Sequence, residues 1–130
     1  MKNKILIVDD DEEICDELAE ILKDERFQVE LVYDGLKASH MIEKGRYSLI
    51  LLDLKLPNLS GFELLKMIRQ KKIPSKVLVL TGRPLLNKKA LRGIALQNQE
   101  EEKTLKLSDG IINKPFEVKL LLNKIKELLR

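Results

Sequence analysis

Residues 5–14 read "ILIVDDDEEI": four apolar residues run straight into three aspartates and two glutamates. A short, unbroken apolar run is the pattern of a strand buried on both faces. Two more runs repeat it, Leu49-Ile50-Leu51-Leu52 and Val77-Leu78-Val79-Leu80. A fourth run alternates: Phe27, Val29, Leu31 and Tyr33 share one face, with Gln28 and Glu30 on the other. That is the pattern of an edge strand. Gly110-Ile111-Ile112-Asn113 is short, which also suits an edge. Asp9, Asp10 and Asp11 therefore sit at the mouth of a buried strand, where burial and mutual repulsion both disfavour ionised carboxylates. Either something offsets that cost or the acids stand in water.

Helical patterns lie between the strands. Ile14, Leu18, Ile21 and Leu22 recur at helical spacing, as do Leu36, Met41 and Ile42 less cleanly. Ser60-Gly61-Phe62-Glu63 has the form of a capping box, with Phe62, Leu65 and Ile68 turned inward behind it. Val118, Leu121, Leu122, Ile125, Leu128 and Leu129 form the inner face of a last helix. Strands alternating with helices imply a parallel sheet with right-handed crossovers. Three central and two edge strands fit the order 2-1-3-4-5, a flavodoxin-like α/β fold: a (βα)5 three-layer sandwich around a five-stranded sheet.

The chain has 130 residues, enough for one domain (1–130) and not two. No stretch approaches the roughly 20 apolar residues that span a bilayer, and no secretory leader is expected from the opening residues. The single cysteine, Cys15, cannot make an internal disulfide, which fits a reducing cytoplasm. A net charge of +3 does not by itself call for nucleic acid.

In such sheets the site lies beyond the carboxyl ends of the strands. Strand one ends in Asp9-Asp10, strand three in Asp53, strand four in Thr81-Gly82 and strand five in Lys114-Pro115. Each feature alone has an ordinary explanation. Acids at a helix start complement the helix dipole, an aspartate after a strand forms turns, and Lys-Pro is common at surfaces. Their joint placement at four strand ends is what points to chemistry. Clustered carboxylates suit a hard divalent cation such as Mg²⁺, which keeps several waters and is often completed by a phosphate oxygen. The ion would let Asp53 stay ionised and accept an approaching phosphoryl group, with Lys114 as a second positive charge and Thr81 as a hydrogen-bond donor.

The stretches "ILIVDDD", "LILLDLKLPNLSGFELL", "VLVLTG" and "IINKPFE" span nearly the whole chain, and through them it resembles a response-regulator receiver domain of the single-domain chemotaxis type. The resemblance implies that Asp53 accepts a phosphoryl group from a phosphohistidine on a sensor histidine kinase or histidine phosphotransfer protein. It implies Mg²⁺ held by Asp10, Asp53 and the backbone carbonyl of Lys55, with Asp9 acting through a water. It implies that Lys114 pairs with the acids and then with the phosphoryl group, and that Thr81 turns inward to bond it. Pro57 and Gly61 match the loop after the family's phosphoacceptor, and the family's Lys-Pro bond is often cis. A cytoplasmic signalling phosphoprotein of a two-component phosphorelay is expected, not a dedicated turnover enzyme. Its output would be a downstream protein target or an output domain missing from this chain.

The competing haloacid-dehalogenase class carries a second aspartate two residues after its nucleophile, where this chain has Lys55. Without that general acid the acyl phosphate would not turn over quickly. No Gly-x-Gly-x-x-Gly or Walker loop is present. His40, the only histidine, falls on the second helix away from the rim, and Cys15 reads as core.

The chain departs from the family in two places. Ile111 stands three before Lys114, where many members carry a Tyr or Phe that swings as the Thr moves. This favours the alternative of a receiver-like interaction module that acts without phosphorylation. The Thr81-to-Lys114 stretch is also longer than usual, with the excess in residues 85–108. A fourth helix is expected there, with Ala90, Leu91, Ile94 and Ala95 inward and an extension or long loop after it. "QNQEEEKT" (97–104) should be mostly solvent-facing. Lys88, Lys89 and Arg92 form a basic strip on that helix, but no DNA-recognition module remains, so direct nucleic-acid binding is not expected. Lys55 and Arg83, each two residues after a site residue, are expected to slow phosphoryl hydrolysis.

Overall fold

A computed structural model describes residues 3–82 and 99–130. Five strands form one parallel sheet: β1 (Lys4–Val8), β2 (Gln28–Val32), β3 (Leu49–Asp53), β4 (Lys76–Thr81) and β5 (Gly110–Asn113). Their order is β2-β1-β3-β4-β5. The described helices are α1 (Glu12–Asp24), α2 (Gly35–Lys44), α3 (Gly61–Gln70), α4 (Gln99–Leu105) and α5 (Val118–Leu128). This is the flavodoxin-like order expected from the sequence.

The pleat explains the continuous apolar runs. Leu6, Val8, Ile50, Leu52, Val77 and Val79 leave one face and pack with Ala38 and Ile42 of α2, Phe62, Leu65 and Ile68 of α3, and Leu105 of α4. Ile5, Ile7, Leu49, Leu51, Leu78 and Leu80 leave the other and pack with Cys15, Leu18 and Leu22 of α1 and Leu121 and Ile125 of α5. Every residue of Ile5–Val8 and Leu49–Leu52 is fully buried, because helices cover both faces. At the edge strand β2, Val29 and Leu31 pack toward α1 and α5. Glu30 on its other face stays half-exposed, bound to Lys4 and to the Tyr47 hydroxyl.

Some expected inner positions are not inner. Leu36 is 52% exposed and Val118 is 41% exposed. Both sit in the first turn of their helices. Tyr33 lies past the end of β2 and is also exposed. The described part of the 97–104 stretch is mostly solvent-facing, as expected, with Thr104 the exception. It includes most of α4, in which Thr104 is buried and bonds the carbonyl of Glu100 at 2.7 Å. The expectations for Arg83, Lys88, Lys89, Ala90, Leu91, Arg92, Ile94 and Ala95 lie outside the described residues.

The helix starts position the loops that follow the strands. Asp11 caps α1 by accepting from the Ile14 N–H, Asp34 caps α2 through Lys37, and Ser60 caps α3 through Glu63. Each cap satisfies an otherwise unpaired N–H and fixes where the chain turns from loop to helix. At the opposite end of the sheet Arg69 bonds the Leu107 and Ser75 carbonyls and the Asp109 carboxylate. This ties α3 to the entry of β5.

Candidate functional site

The three aspartates that open the site have three different environments. Asp9 is buried at the end of β1, and its backbone N–H continues the ladder to the Val32 carbonyl at 3.1 Å. One carboxylate oxygen accepts the Asp11 N–H at 3.0 Å, and the other accepts the Lys114 ammonium at 2.6 Å. Asp10 is exposed. Asp11 is the cap of α1. The charge clustering is therefore divided between a paired buried acid, a solvated acid and a helix cap.

Asp53 ends β3 and is buried, 8% exposed. Pleat alternation places Asp9, Asp53 and Lys114 on the same face, each two residues on from an inner residue of the α1/α5 side: Ile7, Leu51 and Ile112. Asp9, Asp10 and Asp53 each offer an oxygen within 4.8 Å of the other two. Hard oxygen ligands at this spacing could hold a divalent cation. Lys114 stands 3.9 Å from Asp53, against 2.6 Å from Asp9.

The electrostatics follow from that asymmetry. Burial pushes the Asp53 carboxyl up, and the Asp9 charge adds to it. Lys114 and the Lys55 N–H pull it back, Asp10 pushes it up again, and the net position is about 6. For Lys114, burial pulls the ammonium down, but the hydrogen bond to Asp9 and the charges of Asp53, Asp9 and Asp11 outweigh it. Its pKa lies above the ordinary lysine value. Asp53 thus holds a proton more tightly than an ordinary aspartate, and Lys114 more tightly than an ordinary lysine.

Lys55 lies on the exposed loop after Asp53, and its N–H reaches the Asp53 carboxylate at 3.4 Å. Gly61 closes that loop by donating to the Leu54 carbonyl at 2.9 Å. A Cβ at Gly61 would lie 2.3 Å from the Asp53 carbonyl oxygen, so only glycine permits this approach. The Lys114–Pro115 peptide is cis.

Thr81 is buried at the end of β4, level with Asn113. Its carbonyl accepts the Lys114 N–H at 2.7 Å, which anchors the lysine's backbone. By the pleat, however, its side chain follows Val77 and Val79 to the α2/α3/α4 face, opposite to that of the acids and Lys114. Thr81 thus shares the rim but not the face. Cys15 is fully buried, and its thiol donates to the Asp9 carbonyl at 3.3 Å. Burial, then the charges of Asp9, Asp11 and Asp16, push it up to about 12, so it carries no thiolate. His40 is exposed on α2, away from the rim. Sequence reasoning missed Asp34 and Asn58, which meet across the loops at 2.9 Å.

Fold and rim together define a flavodoxin-like α/β protein with an acidic, cation-ready site at the carboxyl ends of its parallel strands. Residues 5–126 match the response regulator receiver domain, and the chain belongs to that family. It is 35% identical over 127 residues to the transcriptional regulatory protein CiaR of Streptococcus pneumoniae, covering 98% of this chain and 51% of that protein. It is 33% identical over 129 residues to the uncharacterized transcriptional regulatory protein YkoG of Bacillus subtilis, covering 99% of this chain and 52% of that protein. The chain thus spans about half the length of these relatives. Among solved structures it resembles a CheY-like receiver domain protein from Methanospirillum hungatei, with a TM-score of 0.84 and 32% identity over 99% of this chain and 94% of that one. It also resembles the response regulator TrrA of Thermotoga maritima in complex with Mg(2+)-BeF, with a TM-score of 0.82 and 29% identity over 99% of this chain and 100% of that one. Among the described residues, no helix is long and apolar enough to cross a membrane.

Proposed function

We propose that this receiver domain accepts a phosphoryl group on Asp53 in a Mg²⁺-dependent reaction, and that the phosphorylated form changes a partner-binding surface. The observation that carries the reading is the meeting of Asp9, Asp10 and Asp53, with Lys114 drawn to Asp9. Asp10, Asp53 and the Lys55 carbonyl would hold the ion directly, and Asp9 would do so through water. When bound, Mg²⁺ supplies positive charge that lets a carboxylate and a phosphoryl group approach each other.

The chain's own groups account for the rest. A carboxylate oxygen of ionised Asp53 attacks the phosphorus of a phosphohistidine. The O–P bond forms as the P–N bond breaks, and the imidazole leaves with the bonding pair and takes up a proton. Lys114 is close enough to Asp53 to transfer its pairing to the new phosphoryl oxygens. Thr81 would have to turn around the end of β4 to donate its hydroxyl, and that turn would alter packing near α4 and β5. With Lys55 where a general acid would be needed, the phosphoaspartate is long-lived and the protein signals instead of turning over.

The donor is a sensor histidine kinase or a histidine phosphotransfer protein, and the reaction is cytoplasmic. The output is a protein partner or an attached output domain, as the half-length match to transcriptional regulators suggests. Binding without phosphorylation is not favoured, because the site keeps the carboxylates and the paired lysine that such a module would not need. Ile111 packs against the α2/α3/α4 core in place of a mobile ring, so the switch acts through Thr81 and packing.

The test is intact-mass spectrometry after incubation with acetyl phosphate. A single phosphoryl adduct that requires Mg²⁺ and is lost with EDTA is expected. Absence of any adduct from this donor and from a phosphorylated histidine kinase would overturn the reading.

A further inference from the structure

The loop between Asp53 and α3 is held at three points. Its base is closed by the bond from Gly61 N–H to the Leu54 carbonyl. Its tip is held against the first turn of α2 twice. The Gly35 N–H donates to the Pro57 carbonyl at 3.1 Å, and the Asn58 side-chain amide donates to Asp34 Oδ2 at 2.9 Å. The approach is close: a Cβ at Gly35 would lie 1.8 Å from the Leu59 carbonyl oxygen.

Two details single out this side-chain bond. Asn58 has φ 68°, a left-handed conformation that glycine would adopt without cost. Asparagine tolerates it, and unlike glycine it has an amide that reaches Asp34. Asp34 in turn caps α2 with Oδ1, bonded to the Lys37 N–H at 2.8 Å. A serine would cap as well. The second oxygen, Oδ2, is the one that receives Asn58. The Lys37 N–H and the Asn58 amide hold the Asp34 carboxyl below its usual range, so it is a charged acceptor throughout the neutral range.

We propose that Asp34 and Asn58 are positioning residues for the metal site: their hydrogen bond fixes the tip of the loop, and with it the backbone of Lys55 beside Asp53. The proposal rests on the Mg²⁺ site proposed above. Backbone ligands cannot be re-aimed by a side-chain rotation, so a carbonyl donor depends on whatever holds its loop. The pair stands outside the ligand set and acts through the chain between Asn58 and Lys55.

The test is Mg²⁺ titration by isothermal calorimetry, with thermal unfolding in EDTA alongside. Asn58→Gly keeps the backbone conformation and removes the amide. Asp34→Ser keeps the α2 cap and removes Oδ2. Each should weaken Mg²⁺ binding by roughly tenfold, the scale seen when groups supporting metal ligands are removed. The double variant should be no weaker than either single one, and Tm in EDTA should change little. Unchanged Mg²⁺ affinity in Asn58→Gly, or a loss of Tm with affinity intact, would overturn the proposal, as would fully additive losses in the double variant. If the wild-type chain bound no Mg²⁺, the metal reading itself would fail, and the proposal with it.

Discussion

Lys114 stands 2.6 Å from Asp9 and 3.9 Å from Asp53, so one cation serves two buried carboxylates unequally. Asp9 is the paired acid. Asp53 keeps its charge against burial and against Asp9, with weaker help. That division leaves Asp53 as the acid with most to gain from an incoming cation.

Lys114→Met removes the cation from Asp9, whose side chain is 2% exposed. A buried charge left without its partner costs about 3 kcal/mol or more. Urea unfolding in EDTA should show that loss, and saturating Mg²⁺ should restore part of it.

Asp53→Asn should act in the opposite direction. The folded carboxyl is pushed up to about 6, above its ordinary 3.8, so the folded state binds the proton more tightly. Stability from this group is therefore full below its unfolded pKa and is lost as pH rises through the folded one. The amide removes that loss and should stabilise the metal-free protein at pH 7 by on the order of 2 kcal/mol. The gain should vanish below about pH 4, and unfolding curves across that window would show it.

Gly61→Ala reverses an ordinary rule. Alanine in a helix normally stabilises relative to glycine by up to about 1 kcal/mol. Here the new Cβ would press on the Asp53 carbonyl oxygen and on Leu54. Lower Tm and weaker Mg²⁺ binding are both expected, because the same contact shapes the loop.

Cys15 should be unreactive in the folded chain. Its burial and raised pKa leave neither access nor thiolate. A thiol reagent at pH 8 should leave the native protein unlabelled over a period in which the urea-unfolded chain reacts fully.

What the sequence makes legible is what periodicity can carry. The runs ending at Val8, Leu52 and Leu80 predict the central strands because burial on both faces leaves no polar position. The alternation of Phe27, Val29, Leu31 and Tyr33 with Gln28 and Glu30 predicts the edge for the converse reason. The strand ends bring Asp9, Asp10, Asp53 and Lys114 together because a parallel sheet aligns all its carboxyl ends. Faces are harder. A one-residue offset separates the side of Thr81 from that of Lys114, and register between β4 and β5 is a tertiary fact. Helix first turns are also misread, as at Leu36 and Val118, since periodicity does not say where a helix leaves the core. The Asp34–Asn58 bond joins two ordinary turn formers that are distant in sequence, and neither residue shows it alone.

The most direct measurement of the central claim is the location of the phosphoryl group. After reaction with acetyl phosphate and Mg²⁺, borohydride reduces an aspartyl phosphate to homoserine, which peptide mass spectrometry places in the chain. The account predicts homoserine at position 53, none in EDTA and none in Asp53→Asn. Homoserine at Asp9 or Asp10, or a phosphoryl adduct that persists in Asp53→Asn, would contradict it.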